Sequence, residues 1–153
     1  MNILIIENEI YLAQKVVSRL LDDGHSCDYI ESPNIDNLTK DYDTILLSTS
    51  LPSALCKNII KRYSETSIIL LLVSYISDET VTNPIKDGAK DYIMKPFIMD
   101  ELIRKIYHYK ECRSLRRELQ TLRDYFNFTM SDIDTSDILL PHSFPMMIES
   151  NSQ

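Results

Sequence analysis

The chain has 153 residues, of which 44% are hydrophobic and 25% charged, a balance ordinary for one folded domain. Its net charge of −7 argues against direct nucleic-acid binding, which needs a basic face. Its three spaced cysteines suggest no disulfide framework, and it has neither a signal peptide nor an apolar run of the roughly 20 residues that cross a bilayer. We therefore expect a cytoplasmic protein without membrane contact.

Apolar runs and helical patterns alternate along the first hundred residues. In chain order they predict strand Asn2–Ile6, helix Ile10–Leu21, strand Cys27–Ile30, a poorly marked helix Pro33–Lys40, strand Thr44–Leu47, helix Leu55–Tyr63, strand Ser67–Val73, strand Tyr92–Met94 and a helix from about Asp100. Along the first helix, the apolar stripe comprises Leu12, Val16, Val17, Leu20 and Leu21. This alternation predicts right-handed βαβ units around a parallel sheet.

The last helix has no glycine or proline from Asp100 to about Phe128. Its first part can pack on the sheet through Leu102, Ile103, Ile106 and Tyr109. A second apolar register follows with spacings of 3 and 4, flanked by charged side chains, and consists of Cys112, Leu115, Leu119, Leu122 and Phe126. A signalling-helix linker and a coiled coil both explain this pattern. We expect a homodimer to cover this dimer seam.

Three regions follow from these patterns: a folded domain at residues 1–110, a helical extension at 111–128 and an acidic linker from 129. ILLPHSFPMMIES, at residues 138–150, begins another structured element. We therefore expect residues 129–153 to lead into a truncated downstream effector module. A natural C-terminal extension is the alternative.

Four segments, in order and at matching separations, are similar to the receiver domains of bacterial response regulators (the CheY-like family). They are ILIIENE at residues 3–9, YDTILLSTSLP at 42–52, IILLLVS at 68–74 and DGAKDYIMKPF at 87–97. The resemblance covers residues 1 to about 110. It implies an α/β, flavodoxin-like (βα)5 fold with a parallel sheet of order 2-1-3-4-5, here with an extended C-terminal helix.

In such receivers, two acids after the first strand and a phosphoacceptor aspartate hold Mg²⁺. The resemblance places Glu7 and Asn8 at the acid pair and Ser48 at the aspartate, so three pocket carboxylates become one. Glu9 usually points into the first helix in this family. The hydroxyl residue after the fourth strand becomes Val73, although Ser74 is adjacent.

Other receiver positions are retained. Lys95 matches the pocket lysine, Tyr92 the switch aromatic, and Pro96 the cis-proline that follows the lysine. Pro84 interrupts the helix after the fourth strand, so Asn83 and Pro84 should begin a very short helix, with residues 74–82 irregular or separately turned. Either a remodelled signalling surface or a kinked helix of ordinary role explains this.

A neutral hydroxyl without a general base cannot replace the aspartate as phosphoryl acceptor. We expect Mg²⁺ binding to be weak or absent, no other metal or cofactor, and Lys95 to pair with Glu7 and hydrogen-bond Ser48 or Asn8. A sensor kinase is then a doubtful partner.

The sequence predicts a regulatory receiver of an atypical, phosphorylation-independent response regulator, serving dimerisation and signal input. We expect a transcription regulator that meets DNA through a downstream module. The alternative is a sensor of a non-phosphate signal, such as redox state or a ligand, using the degenerate pocket or one of Cys27, Cys56 and Cys112. No catalytic constellation or Gly-rich phosphate loop predicts an enzyme.

Overall fold

The computed structural model of the chain describes residues 1–32, 34 and 38–132, the last three by their backbone alone. Contacts within the chain divide it into two units, Met1–Cys112 and Arg113–Gln153. No helix in the described ranges has both the length and the apolar character that crossing a membrane requires.

The first unit contains a parallel sheet of five strands in the order β2-β1-β3-β4-β5, as the resemblance predicted. The strands are β1 (Asn2–Ile6), β2 (Ser26–Ile30), β3 (Thr44–Ser48), β4 (Ile68–Val73) and β5 (Asp91–Met94). The inner strands β3 and β4 are buried along their whole length. Helices cover both faces of the sheet, so side chains on both faces of these strands are buried. The strands are therefore continuous apolar runs in the sequence.

Four helices accompany the sheet: α1 (Ile10–Asp22), α2 (Ser53–Tyr63), α3 (Asn83–Asp87) and α4 (Met99–Asp132). Alternate strand residues point to opposite faces and form two apolar clusters. One cluster contains residues of α1 and α4, and the other contains residues of α2. Helix α4 contributes buried Leu102, Ile103 and Ile106 and partly buried Tyr109, as predicted.

Two sequence-based expectations about helices need correction. The buried stripe of α1 is Ala13, Val16 and Leu20, whereas Leu21 is 54% exposed because adjacent helix positions differ by about 100° around the axis. The predicted helix Pro33–Lys40 lies partly outside the described residues, and its described end, residues 38–40, is not helical. Leu38 is nevertheless buried in the core.

Helix α3 is very short, as Pro84 predicted. A π-helical turn at Asp78–Thr82 precedes it, capped by reciprocal hydrogen bonds between Ser77 and Thr80. Pro84 lies in the first turn, where its missing N–H costs no helical hydrogen bond. Gly88 ends the helix with φ +130°, and a Cβ there would lie 2.5 Å from Ser64 Cβ. Only glycine fits this close approach between α3 and α2.

Candidate functional site

Four neighbouring strands bring the predicted pocket residues to one edge of the sheet. Glu7 follows β1, Ser48 ends β3, Val73 ends β4 and Lys95 follows β5. Because all strands are parallel, their carboxyl ends meet at this edge, which is where ligands bind in open α/β sheets. The fold therefore assembles in space the residues that the resemblance selected along the chain.

A buried ion pair occupies this edge. The ammonium group of Lys95 is in direct contact with Glu7 Oε1, and the two side chains are 7% and 0% exposed. The other carboxylate oxygen of Glu7, Oε2, accepts the backbone N–H groups of Asn8 at 2.8 Å and Glu9 at 3.4 Å. Among the described residues, Oε1 has no other partner than Lys95. The predicted Lys95–Glu7 pair is present.

Ser48 is the second partner of the lysine. Its Oγ accepts a hydrogen bond from Lys95 Nζ at 3.1 Å and another from the backbone N–H of Ser50 at 3.3 Å. The Ser48 side chain is fully buried, and its backbone oxygen accepts from Cys56 Sγ at 3.5 Å. The Ser48 hydroxyl oxygen is therefore the acceptor in both hydrogen bonds, which occupy its lone pairs. No carboxylate of the described residues hydrogen-bonds Ser48 Oγ.

The second acid-pair position, Asn8, and the next residue, Glu9, lie at the rim of the pocket. Asn8 is exposed, and its backbone rather than its side chain contacts Glu7. Glu9 is 57% exposed, and its Oε1 lies 3.8 Å from Lys95 Nζ. The expectation that Glu9 points away from the pocket is therefore wrong. Position along the sequence could not reveal this, because the reach of Glu9 depends on where Lys95 lies after folding.

Val73 is buried in the core, so the end of β4 presents no hydroxyl. The next residue, Ser74, is exposed, and its Oγ lies 3.4 Å from Ser50 Oγ. Tyr92 is partly buried and packs against the apolar cluster that contains Val73. The Lys95–Pro96 peptide bond is cis, as predicted.

Sequence reasoning missed a second polar cluster, at the start of β5. The carboxylate of Asp91 accepts from Lys105 Nζ at 2.9 Å, Tyr109 Oη at 3.0 Å and the backbone N–H of Tyr92 at 2.7 Å. Burial alone would raise the pKa of Asp91, but these hydrogen bonds outweigh it and lower the pKa. The four-residue spacing of Lys105 and Tyr109 on one helix face could have indicated a shared partner.

The three cysteines differ in their surroundings. Burial raises the pKa of Cys27 and of Cys56 to about 11, so both thiols stay protonated at neutral pH. Their Sγ atoms contact backbone oxygens. Cys112 is partly exposed, and its Sγ lies 3.8 Å from His108 Nε2.

A groove of about 830 Å³ adjoins the pocket. It lies between α2 and the π-helical turn, and its lining includes Ser50, Lys57, Tyr75 and Asp87. Thr80 also lines the groove, but its hydroxyl bonds Tyr75 O at 2.7 Å and Ser77 N at 2.9 Å, so it is not free to bind a ligand.

Comparisons with known proteins agree with this geometry. No family model matches the chain. The chain is 33% identical over 113 residues to the transcriptional regulatory protein DltR of Streptococcus agalactiae, and 35% identical over 112 residues to the response regulator ArlR of Staphylococcus haemolyticus. Each match covers 69% of this chain and 50% of the relative, so the chain spans about half the length of both proteins.

A solved structure of a two-component response regulator from Clostridium difficile superposes with a TM-score of 0.59 at 26% identity. The superposition covers 69% of this chain and 92% of that one. The first unit has the fold of a response-regulator receiver domain, and its sequence is similar to the matched half of these regulators. The resemblance aligns Ser48 with the phosphoacceptor aspartate of such receivers, and Lys95 has Glu7 as its counter-ion.

Receivers of this family use Mg²⁺, and the described residues do not fit such an ion. Mg²⁺ prefers several anionic oxygens in an octahedral arrangement. Here Glu7 supplies the buried carboxylate, and Lys95 neutralises it. Within the part of the chain that the structure describes, no three His, Cys, Asp or Glu side chains are grouped to hold a metal.

Proposed function

We propose that this chain supplies the regulatory receiver domain of a transcription regulator, and that this receiver works without aspartyl phosphorylation. The observation that supports the proposal best is the contact network of Lys95, which holds Glu7 and Ser48 together in a buried pocket. A transcriptional role is supported by the relatives, one of which is a transcriptional regulatory protein.

The chemistry of phosphoryl transfer argues for this independence. Transfer needs a carboxylate nucleophile and cations that spread the developing charge of the phosphoryl group. Ser48 offers a neutral hydroxyl, and the charge of Lys95 is already balanced by Glu7. A phosphoryl group would have to displace Glu7 from the lysine and leave that carboxylate buried without a counter-ion. We therefore propose that Mg²⁺ binds weakly or not at all and that a sensor kinase does not drive this domain.

The receiver would then serve dimerisation and signal input. We propose that DNA is met by a separate module, since the receiver has an acidic balance of nine basic against fifteen acidic residues over positions 1–100. The relatives are about twice as long as the matched region, which leaves room for such a module. We place the protein in the cytoplasm and propose no enzymatic activity for it.

The direct test is exposure of the ¹⁵N-labelled chain to acetyl phosphate or beryllofluoride with Mg²⁺. We expect unchanged NMR shifts at Asn8, Ser48 and Lys95. The matched positive control is Asn8→Asp/Ser48→Asp, which restores two pocket carboxylates and should respond. Saturable, Mg²⁺-dependent shifts in the unaltered chain would overturn the proposal.

The alternative is a sensor of a non-phosphate signal that uses a cysteine. The raised pKa of Cys27 and of Cys56 argues against either as a reactive thiol. Cys112 is partly exposed, and its neighbour His108 is the specific contact that keeps this alternative open. Reversible oxidation that changes the association of the chain, and that is lost in Cys112→Ser, would favour it.

A further inference from the structure

We infer that α4 beyond Cys112 pairs with a second copy of this chain in a parallel, in-register, two-stranded coiled coil. This inference deepens the proposed dimerisation role and rests on it. The partner is a second copy of the chain, and charged residues beside the apolar seam determine the parallel orientation.

The apolar seam needs a cover. Within the second unit, its side chains lie on one face of a continuous helix, and they are large and exposed: Leu115 57%, Leu119 49%, Leu122 64% and Phe126 47%. With Cys112 they follow the spacing 3, 4, 3, 4, which assigns Cys112, Leu119 and Phe126 to a positions and Leu115 and Leu122 to d positions. A second helix with the same spacing covers such a face along its length.

Charges beside the seam identify that second helix as another copy of this chain. In the same register, Glu111 and Glu118 occupy g positions, and Arg116 and Arg123 occupy e positions. In a parallel coiled coil each g residue faces the e residue five positions later on the other helix. Glu111 then faces Arg116 of the second copy, and Glu118 faces Arg123. The two-fold symmetry doubles each pair.

These four side chains are available for such contacts. All four are exposed, and within the described part of the chain none of them takes part in an ion pair. On the outer face, by contrast, polar residues bond within the helix: Gln120 donates to Asp124 at 2.8 Å, and Thr121 donates to Arg117 O at 2.9 Å. The charges of these four side chains therefore lie beside the apolar seam.

The same charges exclude the antiparallel orientation. In an antiparallel pair, e positions face e positions and g positions face g positions. Arginine would then meet arginine at the charged e positions, and glutamate would meet glutamate at the charged g positions. Like charges at these positions are destabilising. The parallel arrangement turns every one of these repulsions into an attraction.

Sedimentation equilibrium of the 153-residue chain tests the seam. We expect a reversible dimer, and we expect Leu119→Ala/Leu122→Ala to raise its dissociation constant at least about a hundredfold. Both leucines are exposed in a single chain, so their truncation leaves the receiver core intact. The matched control is Phe128→Ala, an exposed apolar residue of the same helix outside the seam, which should leave the constant within about twofold.

Charge exchange tests the orientation. In the parallel coil, Glu118→Lys places lysine against Arg123 of the second copy twice, and we expect about tenfold weaker association. Adding Arg123→Glu should restore the original constant within about twofold. An antiparallel pair has no Glu118–Arg123 contact, so it would show neither the loss nor the rescue.

The outcomes separate the coil from the functions proposed above. A chain that stays monomeric at high concentration would overturn both the coiled coil and the dimerisation role. A dimer that is insensitive to Leu119→Ala/Leu122→Ala would overturn the coil alone and place dimerisation elsewhere. Independence from phosphorylation is decided separately, by the beryllofluoride titration.

Discussion

The Nζ atom of Lys95 lies 3.1 Å from the Oγ atom of Ser48, the residue that the resemblance aligns with the phosphoacceptor aspartate. A hydroxyl can accept this hydrogen bond but cannot balance the charge of the lysine. That charge is balanced by Glu7, whose side chain is completely buried. The anion that pairs with the lysine therefore follows β1, and the end of β3 contributes a neutral hydroxyl.

Replacing Lys95 should lower the free energy of unfolding of the chain. Lys95→Met removes the cation that neutralises Glu7 and leaves a buried carboxylate unpaired. Breaking a buried ion pair on one side typically costs about 3–5 kcal/mol. We expect a drop of that size in the free energy of unfolding at pH 7, measured by urea denaturation.

The control for this prediction is the double change Glu7→Gln/Lys95→Met. It removes both charges, so the free energy of unfolding should recover part of the loss seen in Lys95→Met alone. Equal losses in the single and double variants would show that the charge of Glu7 is not what the lysine stabilises.

The two glycines of the chain should respond differently to alanine. Both have positive φ, +87° at Gly24 and +130° at Gly88, so each substitution strains the backbone by about 1 kcal/mol. A Cβ at Gly24 would meet no atom within 4 Å, whereas at Gly88 it would lie 2.5 Å from Ser64 Cβ. Gly88→Ala should therefore lower the thermal midpoint clearly more than Gly24→Ala. Equal effects would mean that α2 and α3 can separate without cost.

The cluster at Asp91 should make stability depend on pH. Its pKa in the folded chain is below the ordinary value, so folding favours the charged form. This contribution is fully present above the ordinary pKa, near 3.8, and disappears as pH falls through the lower pKa of the folded state.

Asp91→Asn should consequently destabilise the chain by about 1 kcal/mol at pH 7, since the hydrogen bonds from Lys105 and Tyr109 lose their charged acceptor. The difference from the unaltered chain should shrink at pH 3, as measured by urea denaturation at both pH values. A difference that stays constant with pH would rule out the charged form as its source.

Thiol labelling should separate the three cysteines. The pKa of Cys27 and of Cys56 is raised to about 11 by burial, so little thiolate forms at pH 8. Cys112 is partly exposed on α4. Mass spectrometry after brief iodoacetamide treatment, at a protein concentration low enough to keep the chain monomeric, should find the label first on Cys112, and Cys112→Ser should remove that early label. Early labelling of Cys56 instead would indicate that α2 opens readily from β3.

Much of the fold was predictable because its strands are buried on both faces. Such strands are continuous apolar runs, and the bounds of Asn2–Ile6 agree with the prediction. The fixed φ of Pro84 likewise predicted the short α3. The segment between β2 and β3 has few apolar anchors, and its predicted helix does not include residues 38–40.

The contacts of the site could be predicted where a charged side chain had one evident partner of opposite charge. Lys95 needed an anion, and Glu7 was the retained acid of the pair, so their contact followed. The contacts of Glu9 and Asp91 were not predicted, because each depends on a partner from a distant element. Side-chain reach across a sheet edge is set by three-dimensional packing and leaves no periodic pattern in the sequence.

The Glu7–Lys95 ion pair also has a consequence for how long the state of the pocket lasts. An aspartyl phosphate is a covalent mark that hydrolyses, so a receiver that carries one keeps a finite memory of its stimulus. A counter-ion encoded in the chain has no such half-life. Under the proposed independence from phosphorylation, the state of the pocket would last as long as the folded molecule and would be renewed only by synthesis and degradation.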